Sequence, residues 1–395
     1  MRKVFVLAVA LTIGSMSAVV RAQDSIAYKF TDVKRLPATS IKSQDRAGTC
    51  WSWSTISYLE SEMIRLGKDS VSLSPMYIVW NTYDEKAKKY VRMQGNMNFG
   101  QGGAFADVIW VIKNFGIVPL SEYSGLQYGT DVHTHGELDG VLSAYLKVIV
   151  SNPNKKLSTA WLKGYEGILN AYLGEKPTEF TYKGKKYSPM SFYKEATGLN
   201  MDDYVSLTSF THHPFYTKFA IEVPDNWIGE QSYNIPLDEL MSIMDKSIDN
   251  GYTFAWGSDV SEEGFARKGS IAIVPDYETV EMADAEISKW TKLTSAQKIN
   301  EFLKNPGKEK TIDQKMRQEA FDNFQTTDDH GMHVIGKAKD QNGNMYFIVK
   351  NSWGEYGEYK GYFYASYPFA AYKTLNIVIH KDALPKDLKK KLGIQ

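Results

Sequence analysis

Hydrophobic and polar positions change their period along the chain. Ser52, Ile56, Leu59, Met63 and Leu66 recur four, three, four and three residues apart, which places them on one face of a helix over about 50–66, with Gly67 as its stop. A second helix is predicted over 104–115, closed by Gly116 and Pro119. Leu157, Trp161, Tyr165, Ile168 and Tyr172 repeat the helical spacing, and Tyr182-Lys183-Gly184-Lys185 predicts a tight hairpin turn. From Gly251 onward the apolar runs shorten into strands, predicted at 252–256, 270–275, 330–338, 346–350, 361–365 and 375–379, with a charged helical stretch over about 283–324 between them. Helices early and strands late predict an α+β class of two lobes, one helical and one an antiparallel β-sheet.

Composition changes this picture only at the ends of the range of possibilities. Of 395 residues, 43% are apolar and 23% charged, which excludes wholesale disorder and a membrane-embedded body. Arg2 and Lys3 precede an uncharged run over 4–20 that ends in Val20-Arg21-Ala22, the layout of a secretory signal. Residues 1–22 are therefore expected to be a signal peptide cleaved after Ala22, leaving 23–395 exported, periplasmic or secreted, with no membrane anchor. The apolar part, 4–13, is short for a span of about 20 residues. Three basic and no acidic residues leave with the signal, so the mature chain is slightly acidic and no nucleic-acid partner is expected.

Cys50 is the only cysteine, which excludes an internal disulfide and leaves a reactive thiol, an intermolecular bridge or a buried small hydrophobe. It sits in Gln44-Asp45-Arg46-Ala47-Gly48-Thr49-Cys50-Trp51-Ser52-Trp53, at the first turn of the first predicted helix. Free N–H groups and the helix dipole favour a thiolate there. Gly48 lets backbone approach a ligand, and the Cys50 N–H with the Gln44 amide offers a pair of donors to an oxyanion. A base for that thiol is sought among seven histidines. His330 and His333 share one predicted strand and lie three apart, so only one can face the thiol. Asp328 and Asp329 are expected to raise the pKa of His330.

Three stretches together resemble the papain family of cysteine peptidases. One is glutamine six positions before a Gly-x-Cys-Trp unit. The second is His330-Gly331-Met332-His333-Val334-Ile335-Gly336, which fits the family's histidine motif with His330 leading and breaks it with His333 leading. The third is Asn351-Ser352-Trp353-Gly354, followed by Tyr356 where tryptophan is common. The resemblance implies Cys50 as nucleophile, His330 as base, Asn351 holding the imidazole, Trp353 shielding that bond and Gln44 at the oxyanion. It also implies that Gly102 and Gly103 offer bare backbone to an extended peptide substrate. The fold it implies is a papain-like two-lobed one with large insertions at about 121–250 and 283–324.

Those insertions, with Leu73-Ser74-Pro75-Met76-Tyr77, residues 251–261 and His380-Lys381-Asp382-Ala383-Leu384-Pro385, resemble the bleomycin hydrolase and aminopeptidase C branch. That branch implies aminopeptidase action, a homo-oligomer (a hexamer) and a chain end lodged in the cleft, although Lys389-Lys390-Lys391-Leu392-Gly393-Ile394-Gln395 departs from its usual ending. Endopeptidase action, acyl or amide transfer, and an inactive peptide-binding homologue are the rival expectations. No cofactor is expected. No metal is expected either, because His133-Thr134-His135 and His212-His213 have no further ligand at a recognisable spacing.

Overall fold

The computed structural model describes residues 27–277 and 290–395, so the expected signal peptide and the first part of the charged stretch lie outside the described residues. Six helices build one lobe: α1 (Cys50–Arg65), α2 (Pro75–Arg92), α3 (Phe105–Phe115), α4 (Gly136–Val150), α5 (Trp161–Leu173) and α6 (Pro189–Ala196). The helices read at 50–66 and 104–115 are α1 and α3, and the pattern from 157 to 172 is α5. Helix α2 escaped the periodic reading, yet its start is written locally. Pro75 fills the first turn, where its missing N–H costs nothing, and the Ser74 Oγ accepts from Tyr77 N at 3.0 Å.

Helix α1 is buried on every side from Trp51 to Met63, including its serines and both glutamates. Such a helix survives only if each polar group finds a partner. Ser52 donates to Pro75 O (2.8 Å), Ser61 to Pro37 O (2.9 Å), and Glu60 accepts from Thr39, Lys42 and Leu73 N. It is the wall shared by the two lobes. On one side Ile56, Leu59, Trp80, Val108, Leu142, Leu169 and Phe192 close the helical core, so helices α4 to α6 belong to that core.

Among the described residues the other lobe is an eleven-stranded sheet. Its strands are β1 (Thr31–Arg35), β4 (Tyr204–Thr208), β5 (Lys218–Ala220), β6 (Gln231–Asn234), β7 (Phe254–Ser258), β8 (Phe265–Ala266), β9 (Ile271–Ala272), β10 (His330–Lys339), β11 (Met345–Lys350), β12 (Tyr362–Ser366) and β13 (Thr374–His380). The separate hairpin read at 182–185 is β2 (Phe180–Tyr182) with β3 (Lys185–Tyr187). The order is β5-β6-β4-β13-β7-β10-β11-β12-β9-β8, with β1 on β10. The lobe was expected to be antiparallel; β4 with β6 and β9 with β12 run parallel, because crossovers rather than hairpins join them. Helices α7 (Leu237–Asp249), α8 (Ser295–Lys304), α9 (Gln314–Asp322), α10 (Tyr367–Lys373) and α11 (Lys386–Leu392) follow among the described residues. The charged stretch is thus two short helices among the described residues.

Leu207, Ile243, Phe254, Trp256, Met332, Val349, Phe363 and Ile377 form the sheet core, and a fully buried side chain of this size contributes about 1.5–3 kcal/mol. Leu388 and Leu392 of α11 are buried in that core, and Ile394 packs beside it. Lys391 stands over the Tyr216 ring, 4.7 Å from its centroid.

Candidate active site

A cleft of about 790 Å³ opens between the lobes. Gln44, Gly48 and Cys50 line it from the N-terminus of α1, Gly102 and Gly103 from the loop before α3, and His330 and Gly331 from the start of β10. Gly331 is where the two walls touch. A Cβ there would lie 2.7 Å from Ser54 Oγ and 2.8 Å from the Phe105 ring, so only glycine lets α1 approach β10 this closely.

The histidines separate as strand geometry requires. His333 faces into the protein, fully buried, with its Nδ1 2.9 Å from Ser57 Oγ. His330 is on the cleft side, and its Nε2 lies 2.7 Å from Asn351 Oδ1. Asn351 Oδ1 also accepts from Ser352 N at 2.8 Å, which identifies that atom as oxygen and the imidazole Nε2 as the donor. The neutral ring therefore keeps its lone pair on Nδ1. Trp353 stacks on the ring with centroids 4.6 Å apart, and the Arg267 guanidinium lies over the Trp353 ring, 4.4 Å from its centroid.

Gln44 is tied to the same turn. Its N donates to Ser352 O (2.8 Å), its Oε1 accepts from Ser352 Oγ (2.6 Å), and its Nε2 donates to Ala47 O (2.7 Å). One Nε2 hydrogen remains for the cleft. The Cys50 loop is fixed to the glycine loop through Gly48 N to Gln101 Oε1 (2.7 Å) and Trp51 Nε1 to Gln101 O (3.1 Å).

The electrostatics differ from both expectations. Burial pushes the Cys50 thiol up to about 12, against the Gly331 and Trp51 N–H groups that pull it down. Burial likewise takes His330 down to about 4, outweighing Asn351 and the charge of Asp329. Asp329 spends its carboxylate on Val260 N, Ser261 N and Thr327 Oγ1 instead. Burial thus opposes the charged form of both groups. Transfer of a proton from sulfur to imidazole leaves the net charge of the cleft unchanged, so burial opposes it less than the ionisation of either group alone.

Comparison with known proteins gives the family and the fold. A model of the Peptidase C1-like family matches residues 168–302 and 307–395, which carry His330 and Asn351. The chain belongs to the peptidase C1-like family. Aminopeptidase C of Streptococcus thermophilus is 22% identical to this C1-like chain over 94% of it and 87% of the relative. Aminopeptidase G of Lactobacillus delbrueckii subsp. lactis is 22% identical over 91% and 84%. The crystal structure of PepW from Lactobacillus rhamnosis superposes with a TM-score of 0.67 at 21% identity, covering 92% of this chain and 84% of that one, which shows the shared papain-like fold.

Several residues of the site had no signal in the sequence. Residues 221–230, within the expected insertion, leave β5 and line the far part of the cleft with Ile221, Val223, Asp225 and Asn226. Lys86, in the middle of α2, donates to Gly100 O (3.2 Å) and Gly102 O (2.8 Å) from beneath the glycine loop. The expected lodging of the chain end in the cleft is not found: among the described residues, none from 386–395 lines it, because the apolar side chains of α11 complete the sheet core. Outside the cleft, His212 and His213 gain the third group their spacing lacked, each bonding Glu222 at 3.0 and 2.9 Å.

Proposed function

We propose that this cysteine peptidase is an aminopeptidase that hydrolyses the first peptide bonds of its substrates with Cys50, His330 and Asn351. The observation that carries this reading is the Nε2–Asn351 bond of 2.7 Å under Trp353, which leaves Nδ1 as the ring nitrogen available to a thiol, in a residue that lines the same cleft as Cys50. The relatives named aminopeptidase support the exopeptidase part.

Cys50 Sγ adds to the scissile carbonyl carbon while its proton goes to His330 Nδ1, and the carbonyl π electrons move to oxygen. That oxyanion takes hydrogen bonds from the Cys50 N–H, one of the unpaired donors of the helix start, and from the spare Gln44 Nε2 hydrogen. Asn351 keeps the imidazolium in place. His330 then gives its proton to the leaving amine as the C–N bond breaks, and the acyl group stays on sulfur. Water, deprotonated by the same Nδ1, adds to the thioester; the C–S bond breaks, and the carboxylic acid and the thiol are restored.

The test is hydrolysis of fluorogenic amino-acid amides by wild type and Cys50→Ala, with the thiol mapped by an iodoacetamide label. Activity should fall at least about a thousandfold. A Cys50→Ala protein that keeps its rate overturns the reading. An exported location belongs to the same proposal on the strength of residues 1–22, and cleavage after Ala22 is checked by the N-terminal mass of the protein recovered outside the cytoplasm.

A further inference from the structure

Residues 221–230 cross from the sheet lobe to the helical lobe and end in a built anchorage. Trp227 is buried there; its Nε1 donates to Asp107 Oδ2 at 2.9 Å, and its carbonyl accepts from Lys89 Nζ at 2.6 Å. Asp107 also accepts from Ala104 N at 2.9 Å, at the end of the glycine loop. This strap sets Asp225 directly on the glycine shelf. A Cβ on Gly102 would lie 1.9 Å from Asp225 Oδ2, and Asn98 Nδ2 donates to its Oδ1 at 3.0 Å. An extended peptide running along Gly102 therefore meets a carboxylate held by a strap that crosses its path.

We propose that Asp225 receives the free α-ammonium of the substrate, so that the strap limits what lies on the acyl side of the scissile bond to a short N-terminal stub. The inference rests on the peptidase reading above and assigns its substrate class: peptides with an uncapped N-terminus.

Charge on the strap side of the cleft supports this. One nearby cation, Lys86, has its ammonium committed to the carbonyls of Gly100 and Gly102 and favours the charged form of Asp225 from below. Burial raises the Asp225 carboxyl above the usual carboxylate range, with Lys86 and Asn98 pulling it down. Asp328, which lines the same cleft, is raised to about 7 by burial and by the charges of Asp225 and Asp329. Two carboxyls that oppose one another's ionisation are relieved by an arriving cation. Both Asp328 and Asp225 also push the Cys50 thiol up. An ammonium seated against Asp225 cancels that push, so a substrate with a free N-terminus favours the thiolate it is to meet.

The experiment compares amino-acid amides with a free or an acetylated amine, as substrates of wild type, Asp225→Asn and Asp225→Glu. In parallel, amino-acid chloromethyl ketones with free or acetylated amines report the alkylation rate of Cys50 without any need for turnover. Wild type should prefer the free amine in both. Asp225→Asn, which keeps an oxygen for Asn98, should lose that preference by at least about thirtyfold, mostly through KM, and Asp225→Glu should restore part of it. An unchanged preference in a folded, alkylatable Asp225→Asn protein overturns this proposal alone. Failure of both reagents to alkylate Cys50 in wild type overturns the peptidase reading and the role of Asp225 with it.

Discussion

The two ends of the cleft are built in opposite ways. At the chemical end, His330 begins β10 and Asn351 follows β11, neighbouring strands whose register pairs His333 with Lys350 and Val334 with Val349. Their placement is enforced by a backbone ladder and by α1 pressed against Gly331. At the strap end, Asp225 and Trp227 sit on an irregular segment that is tied by side-chain bonds to Asn98 and to Asp107 of α3, above a glycine loop that Lys86 of α2 holds from beneath. Chemistry is held by regular structure and substrate length by a loop, which allows the second to vary without disturbing the first.

The sharpest break of this comparison is on the chemical end. His330→Ala removes the group that both takes the thiol proton and protonates the leaving amine. A fall in kcat/KM of about ten-thousandfold is expected, with free and capped substrates affected alike. His333→Ala, three residues along the same strand, should instead lower stability and leave the residual kcat/KM of the folded fraction near wild type. A loss of similar size in that variant, measured per folded molecule by active-site titration, would show that the base had been misassigned.

The strap end breaks more gently, and first through pH. Burial raises the Asp107 carboxyl from 3.8 to about 7, with the Ala104 N–H, the Trp227 indole and Lys86 opposing it. The folded protein then keeps a proton that the unfolded chain releases near pH 4. The stabilisation is fully present below about pH 4 and is lost as pH rises through about 7, a swing of roughly 4 kcal/mol. Asp107→Asn keeps an oxygen for Ala104 N and Trp227 Nε1 and cannot titrate, so it should flatten that window. Urea midpoints at pH 4.5 and 8 in both proteins check it; equal slopes would remove Asp107 from the account.

Trp227→Ala follows, at about 2–3 kcal/mol for a buried aromatic on a segment that can partly collapse. Its diagnostic effect is on selectivity. With the strap unpinned, acetylated substrates should gain on free ones by at least about threefold, since little more than the Asn98 bond then holds Asp225 over the shelf. Unaltered selectivity with a lowered melting temperature would make Trp227 a packing residue only.

What the sequence disclosed follows the same division. The helix starting at Cys50, the strand carrying His330 and the Asn351-Ser352-Trp353 turn are local: each motif fits within a dozen residues, and the period of the flanking apolar positions gives its element. That only one of His330 and His333 can face the thiol was legible because a strand sends positions three apart to opposite faces, and the resemblance to the family's histidine motif pointed to His330. The direction of the pKa shifts was not. Helix dipole and adjacent acids are visible in a sequence, whereas the burial that outweighs them at Cys50 and His330 is a property of the packed cleft. Asp225 gave no sign at all, since an aspartate between Pro224 and Asn226 reads as an ordinary turn until the fold lays it on Gly102.

The smallest expected effect concerns the chain end, for which the branch resemblance implies a place in the cleft. Leu388 and Leu392 are buried in the sheet core, Gly393 closes α11 in the left-handed region at φ 67°, and Ile394 lies beside the same core. Removing 393–395 takes away only the partly buried Ile394 and the cap, a loss of about 1 kcal/mol or less. Selectivity for the free amine should stay as in wild type, because no atom of that segment lines the cleft, whereas Asp225→Asn should abolish it. If the truncated enzyme instead accepts acetylated substrates, the terminus reaches the active site in solution and shares the reading of the substrate's N-terminus with the strap. The pair of variants thus decides which of two carboxylates, a side chain at 225 or the end of the chain, sets the length of the acyl fragment.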